Sequence, residues 1–321
     1  MAHHPFCLRK AAHVSSIDKT RHGKSPVVAV VMSTYNGAEH VKDQLDSIFD
    51  QILKPDYVIV RDDGSSDRTL DSLRPYASTG AIQLVEGKNL GVVGSFLDGL
   101  AHVPAGVDFV FLSDQDDVWH KDKISRAIAL VAGFDQSKPL YYCAEYTFCD
   151  AQMHKGERSH LLNGDVDLSH LMYENPTSGN TCLINRVLLD IVVCAGSKDV
   201  YCHDWWLALV ASALGSVVHD DFDCLDYRRT GSNASPTGMS FFGLLRYRIN
   251  TFFKKGDFDK ISSQLNRLFE LYGQLMIPSN RAKVQRFVRG NRFSKAVTPY
   301  RLRQKLTDEL ALRLFFLFGL L

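Results

Sequence analysis

The chain has 321 residues, 45% of them hydrophobic and 23% charged, with a formal net charge of +1. That composition fits a folded globular protein and excludes a disordered, collagen-like or disulfide-framework chain. The near-zero charge hides an asymmetry: from Arg246 onward there are sixteen Lys/Arg and five Asp/Glu. An acidic body with a basic end argues against a nucleic-acid-binding body and for a surface-binding C-terminal segment, unless the cations only solvate a helical face. Seven cysteines without metal-type spacing, and no secretory signal before them, point to reduced thiols and a cytoplasmic location. Residues 1–25 lack an apolar run and read as a disordered tail. No stretch reaches the ~20 apolar residues that a membrane span needs.

Four short apolar runs alternate with amphipathic stretches in the first half. The runs are Val27–Met32, Tyr57–Val60, Ile82–Val85 and Phe109–Leu112; the stretches are Ala38–Gln51, Asp67–Tyr76, Gly91–His102 and Lys121–Val131. Strand and helix in alternation predict an α/β fold, a mostly parallel sheet with helices on both faces. Further along, Tyr141–Glu145 reads as a strand, and residues 177–186 as a loop entering a strand and then a helix. His203–Leu214 reads as a helix and Cys224–Tyr227 as a short strand; from Ser240 the pattern is helical and basic. The domains expected are a catalytic unit over 26–235 and a basic helical C-terminal segment over 236–321.

A polar or Gly-containing cluster follows each of the four runs: STYNG at 33–37, RDDGSSD at 61–67, EGKNLG at 86–91 and SDQDD at 113–117. Ligands of an open parallel sheet bind beyond the carboxyl ends of its strands, so the four clusters should meet at one cleft. Asp, Gly and Ser also suit turns and helix caps, but four such clusters at one edge exceed what turns require. Asp114 and Asp116 are two apart at a strand end, where both carboxylates reach the same side. Mg²⁺ and Mn²⁺ favour such oxygens and complete their shell with substrate phosphates. Neither a P-loop nor a G-x-G-x-x-G after the first strand is present.

Taken in order, STYNG, RDDGSSD, KNLG, SDQDDVW, SGNTCLINR and HDWW resemble glycosyltransferase family 2, in its bacterial rhamnosyltransferase-like branch, over residues 26–235. The resemblance implies a Rossmann-like, A-type glycosyltransferase fold. It also implies an inverting, metal-dependent transfer of a sugar, rhamnose being favoured, from a nucleotide-diphosphate donor. The acceptor implied is a glycan or a lipid-linked carrier in cell-surface polysaccharide synthesis. By the same resemblance Thr34 and Tyr35 line the base pocket, Asp62 or Asp63 bonds the nucleobase near Asn89, and Asp114 approaches ribose and metal. Asp116 is then the main ligand of Mg²⁺ or Mn²⁺, and Asp204, opening the HDWW helix, is the general base. Of Trp205 and Trp206, one would pack in the core and the other stack on a sugar, while His203 would orient a neighbour or fill the core. Relatives often carry His where Thr230 stands, which leaves the third metal ligand open; Arg228 or Arg229 would then contact phosphate.

The segments 240–255 and 312–321 mix aromatic, leucine and basic residues. They suit contact with the inner face of the cell membrane or, alternatively, packing against the catalytic unit. The competing functions are a sugar nucleotidyltransferase, which would release pyrophosphate, and a sugar-nucleotide-binding protein with little or no transferase activity.

Overall fold

A computed structural model describes residues 25–162, 167–229 and 255–320. The expected N-terminal tail, Thr230 and the aromatic–basic stretch before Lys255 lie outside the described residues.

The four apolar runs are strands β1 (Val28–Thr34), β2 (Tyr57–Asp62), β3 (Gln83–Glu86) and β4 (Phe109–Ser113). They lie parallel in the order β3-β2-β1-β4. Along β1, Val28, Val30 and Met32 enter one apolar core while Ala29 and Val31 enter the other. Burial on both faces is what an unbroken apolar run demands. Helices α1 (Val41–Phe49), α2 (Thr69–Ser78), α3 (Gly91–Ala101) and α4 (Lys123–Val131) follow these strands or the polar loops after them. Val41, Leu45 and Ile48 of α1 and Ile124 and Val131 of α4 cover one face; Phe96 and Leu100 of α3 cover the other.

Five further strands complete a nine-stranded mixed sheet: β5 (Val118–Trp119), β6 (Leu140–Cys149), β7 (Lys155–Arg158), β8 (Leu183–Asn185) and β9 (Ser216–Arg228). β8 runs antiparallel between β4 and β6, β9 parallel beside β6, and β5 antiparallel on the edge of β9. β7 pairs antiparallel with β6. β9 extends well beyond the short strand expected at Cys224–Tyr227. Its acidic residues disguise it, because Asp220 is buried in a fork of bonds from Arg126 (2.7 and 2.9 Å) and the Tyr142 hydroxyl (3.1 Å).

The remaining helices are α5 (Leu168–Leu171), α6 (Arg186–Ala195), α7 (His203–Leu214), α8 (Lys255–Tyr272), α9 (Pro278–Arg289), α10 (Arg292–Ala296) and α11 (Leu306–Phe318). Leu265 and Leu268 of α8, Phe287 of α9 and Phe316 of α11 join the same core as α3, α6 and α7. Among the described residues five cysteines carry free thiols, but Cys194 is disulfide-bonded, which departs from the expectation of reduced thiols throughout.

One buried cation pins the strand-end loops. Arg61, on β2, donates through Nε to Asp98 Oδ2 of α3 (2.8 Å), through its guanidinium to Asp63 Oδ1 (3.0 Å), and to the carbonyl of Lys88 (3.0 Å). A guanidinium suits such branching because its donors form a rigid planar fork. Replacing Arg61 by Leu should cost ~3–5 kcal/mol of folding stability, read from urea unfolding, because the buried carboxylate of Asp63 loses its cation. A loss below ~1 kcal/mol, the range of exposed pairs, would contradict this role.

Candidate functional site

The parallel order β3-β2-β1-β4 sets the four polar clusters side by side, and hydrogen bonds interlock them. In STYNG, the amide of Tyr35 donates to Gln115 Oε1 (2.8 Å), and Gln115 Nε2 donates back to the Tyr35 carbonyl (3.1 Å). Asn36 takes a left-handed φ of 50°, a conformation Asn tolerates. Its Oδ1 then accepts from the Ser66 amide (2.8 Å) in the second cluster. Asp63 accepts from the amides of Leu90 (2.8 Å) and Gly91 (3.0 Å), capping α3 from a distance and joining the second cluster to the third. Gly64, at φ +79°, lets the second loop close on Asn89, whose backbone nitrogen would lie 3.2 Å from a β-carbon at that position.

These bonds decide which carboxylates remain for a ligand. Asp62 accepts from the Thr34 and Ser65 hydroxyls and from the amides of Gly64 and Ser65, which fills its acceptor positions. Asp62 and Asp63 are both buried, so each builds the loop rather than presenting a bare carboxylate to a base. Thr34 is buried beneath them, whereas Tyr35 is 49% exposed and Asn89 is also exposed.

Beyond β4 the arrangement differs. Asp117 is buried and held: its Oδ2 accepts from Asn180 Nδ2 (2.7 Å) and its Oδ1 from the amide of Arg228 (3.3 Å). Asp114 and Asp116 are half-buried, and among the described residues no side-chain hydrogen bond reaches either carboxylate. Burial and the neighbouring charges of Asp116 and Asp204 push the Asp114 carboxyl up to about 7. Burial also raises Asp116, against the easing effect of His40 and Arg228. Asp117 is raised by burial and then by Asp114 and Asp116. Lys123 lies buried among them, its Nζ bonded to the Asn180 carbonyl and seated 3.5 Å from the Trp119 ring centroid. Burial brings its ammonium down to about 8, against the support of Asp117 and Asp114. Crowded carboxylates with free acceptor oxygens fit a hard divalent cation, and Asp114 and Asp116 are the pair with oxygens to offer.

Asp204 stands in the first turn of α7, close enough for its charge to raise Asp114. Its Oδ1 accepts from the Trp205 amide (2.7 Å) and the Cys202 thiol (2.8 Å), its Oδ2 from Asn175 Nδ2 (3.1 Å). Asn175 is itself oriented, because its Oδ1 accepts from the Thr177 amide and hydroxyl (3.2 and 2.7 Å). Cys202, His203 and Asp204 bring donor atoms within 4.8 Å of one another, another grouping of metal-ligand types. There the thiol is already engaged with Asp204, and the His203 ring is stacked on Phe96 at 4.1 Å. Gly179 permits this closeness, since a β-carbon there would come within 2.7 Å of His203 Nε2.

Three expectations change. Trp205 and Trp206 are both buried, Trp205 donating to the Leu171 carbonyl and Trp206 lying against Tyr272, so neither offers a face to a sugar. Arg228 is buried with its fork spent on the carbonyls of Asp116 (3.0 Å) and Ala151 (3.2 Å) and on Asp43 (3.0 Å). It holds the loop in place of a phosphate. Arg229 lies over the Phe148 ring at 3.7 Å. Lys123, His40, Asn175 and Asn180 were missed. Lys123 and His40 read as further polar positions of amphipathic stretches, Asn175 sits in a loop without period, and only Asn180 lies inside a recognised motif.

The carboxylate crowding carries a sign. A carboxyl whose folded value lies above its unfolded one stabilises fully below the unfolded value, and that stability is lost as pH rises through the folded value. For Asp114 the window runs from about 4 to about 7. Asp114→Asn should therefore raise the cation-free Tm at pH 8, on the order of a few degrees, and leave it nearly unchanged at pH 4. An equal shift at both pH values would refute the crowding.

Comparison with known proteins agrees with this geometry. The family model for glycosyl transferase family 2 matches residues 29–165, which hold all four clusters. An uncharacterized glycosyltransferase of Rickettsia prowazekii is 27% identical over 202 residues, 61% of this chain and 62% of that protein. The chain thus aligns with about three fifths of that relative's length. The dTDP-rhamnosyl transferase RfbG of Shigella flexneri is 33% identical over 102 residues, 30% of this chain and 35% of that one. The crystal structure of S. aureus TarS 1–349 in complex with UDP-GlcNAc superposes with a TM-score of 0.52 at 16% identity, covering 91% of this chain and 92% of that one; it shows a shared fold. The part of the chain that carries the four clusters, residues 29–165, is thus similar to glycosyl transferase family 2.

Proposed function

We propose that the chain is an inverting glycosyltransferase that uses Mg²⁺ or Mn²⁺ to move a sugar from a nucleoside-diphosphate donor onto a hydroxyl of a glycan or lipid-linked acceptor. The observation that carries the reading is the pair of carboxylates Asp114 and Asp116 at the carboxyl end of β4, to which no side chain donates among the described residues, with the oriented carboxylate of Asp204 nearby. A cation held by Asp114 and Asp116 would neutralise charge on the departing diphosphate. Tyr35 and Asn89, the exposed members of their loops, would flank the nucleobase, on a floor built by Thr34, Asp62 and Asp63.

Asp204 would accept the proton of the acceptor hydroxyl as that oxygen bonds to the anomeric carbon and the carbon–phosphate-oxygen bond breaks. Bonds from Asn175, the Cys202 thiol and the Trp205 amide hold the carboxylate in one orientation. Activated rhamnose is the first donor to test, on the strength of the motifs and of the relative named for dTDP-rhamnosyl transfer. We place the acceptor at the inner face of the cell membrane. Among the described residues no helix is long and apolar enough to cross a membrane, so the contact would be peripheral.

The test is release of nucleoside diphosphate over a panel of nucleotide sugars and acceptors. Asp204→Asn should cut turnover by about 10²–10⁴-fold while donor affinity stays near wild type. Asp116→Ala should abolish turnover and cation-dependent donor binding together. Pyrophosphate release would instead identify a nucleotidyltransferase, and full turnover by Asp204→Asn would remove it as the base.

A further inference from the structure

α11 has two apolar faces. Glu309, Leu312 and Phe316 point into the core, Glu309 being tied to Arg313 at 2.7 Å. On the opposite side Leu306, Leu310, Leu314 and Leu317 stand exposed, at 63%, 56%, 50% and 41%. Spacings of four, four and three residues place these leucines in one stripe along the helix. Phe293 within α10 and Val297 just after it are also exposed apolar residues, at 64% and 52%. α10 is fastened to α11 because Arg313 donates to the carbonyls of Ala296, Thr298 and Tyr300. Phe316 instead packs against Tyr173 and Phe287 inside.

A contiguous exposed apolar surface marks a binding face. Charge distinguishes its occupant. Between Arg281 and Arg313 the chain carries ten Lys/Arg and two Asp/Glu. Exposed cations bracket the leucines: Lys305 caps the start of α11, Arg301 lies just before it, and Arg292 approaches Gly319 at its end. A second copy of the chain would bring like charges together across a C2 contact, whereas anionic headgroups complement them.

We propose that the leucine stripe of α11, with Phe293 and Val297, docks the protein in the plane of an anionic lipid bilayer. The leucines enter the acyl boundary while Arg292, Arg301 and Lys305 meet the headgroups. The docking face is tied to the base: the amide of Gln304 donates to Glu174 Oε2 (2.7 Å), and the next residue, Asn175, holds Asp204 (3.1 Å). Docking therefore fixes the Asp204 side of the cleft relative to the lipid surface, where a lipid-linked acceptor would stand. Only this last link rests on the transferase reading.

The experiment is co-sedimentation of the full chain with phosphatidylcholine vesicles, with and without phosphatidylglycerol, across a salt series. Wild type should bind the anionic vesicles, weaken with salt and leave neutral vesicles unbound. Leu310→Glu/Leu314→Glu should reduce the bound fraction at least roughly tenfold. The milder Leu310→Gln/Leu314→Gln should weaken binding in the same direction, both checked by thermal melting. Arg292→Gln/Lys305→Gln should lose much of the preference for anionic lipid. Unchanged binding by folded leucine variants, or equal wild-type binding to neutral vesicles, overturns the proposal. So does a wild-type dimer in sedimentation velocity that the leucine variants dissolve. Diphosphate release onto a soluble acceptor should survive the leucine substitutions. If wild type releases none, the transferase reading fails while the vesicle result stands.

Discussion

Three carboxylates and one buried ammonium share the space beyond β4, and this imbalance organises the site. Lys123 cannot neutralise Asp114, Asp116 and Asp117 together, and burial draws its own value down to about 8. The protein resolves one of the three locally, bonding Asp117 to Asn180 and the Arg228 amide. The other two keep free acceptor oxygens and raised values. Leaving like charges together in a partly dry place is costly, and a fold retains such an arrangement when something positive completes it.

The same accounting separates ligand-facing acids from structural ones. Acidic residues crowd the loops after β2 and β4, and those after β2 are consumed by amides and hydroxyls. Asp62 and Asp63 shape the loop after β2, and Asp67 accepts from the Thr69 amide at the start of α2 (2.9 Å). Arg61, with its fork spread over Asp63, Asp98 and Lys88, holds those loops at a fixed distance from one another. The cleft is therefore preorganised: its walls are hydrogen-bonded, and the unfilled acceptors lie where Asp114 and Asp116 open to it.

The sheet and its first four helices were legible because strand burial and helix amphipathicity leave periodic traces. The helix opening at His203 was legible from its motif, and the convergence of clusters from strand order. Other features leave no such trace. β9 hides behind acids whose partners come from distant elements, such as Arg126 for Asp220. Arg228 is identified by sequence as a phosphate-type residue, but only geometry shows its fork already filled. Trp205 and Trp206 have the composition of a sugar platform and the position of core residues. At the C-terminus the mixed apolar run divides only in the fold: Leu312 and Phe316 are buried, while Leu310, Leu314 and Leu317, with Phe318, stand exposed.

The central claim is that Asp114 and Asp116 hold a divalent cation together with a nucleoside diphosphate. Isothermal titration of nucleoside diphosphates into the full chain, with Mn²⁺ and then with a chelator, tests it most directly. The account predicts at least one nucleotide bound in the presence of Mn²⁺ and lost on chelation. Nucleotide binding of equal affinity with and without the cation would contradict it.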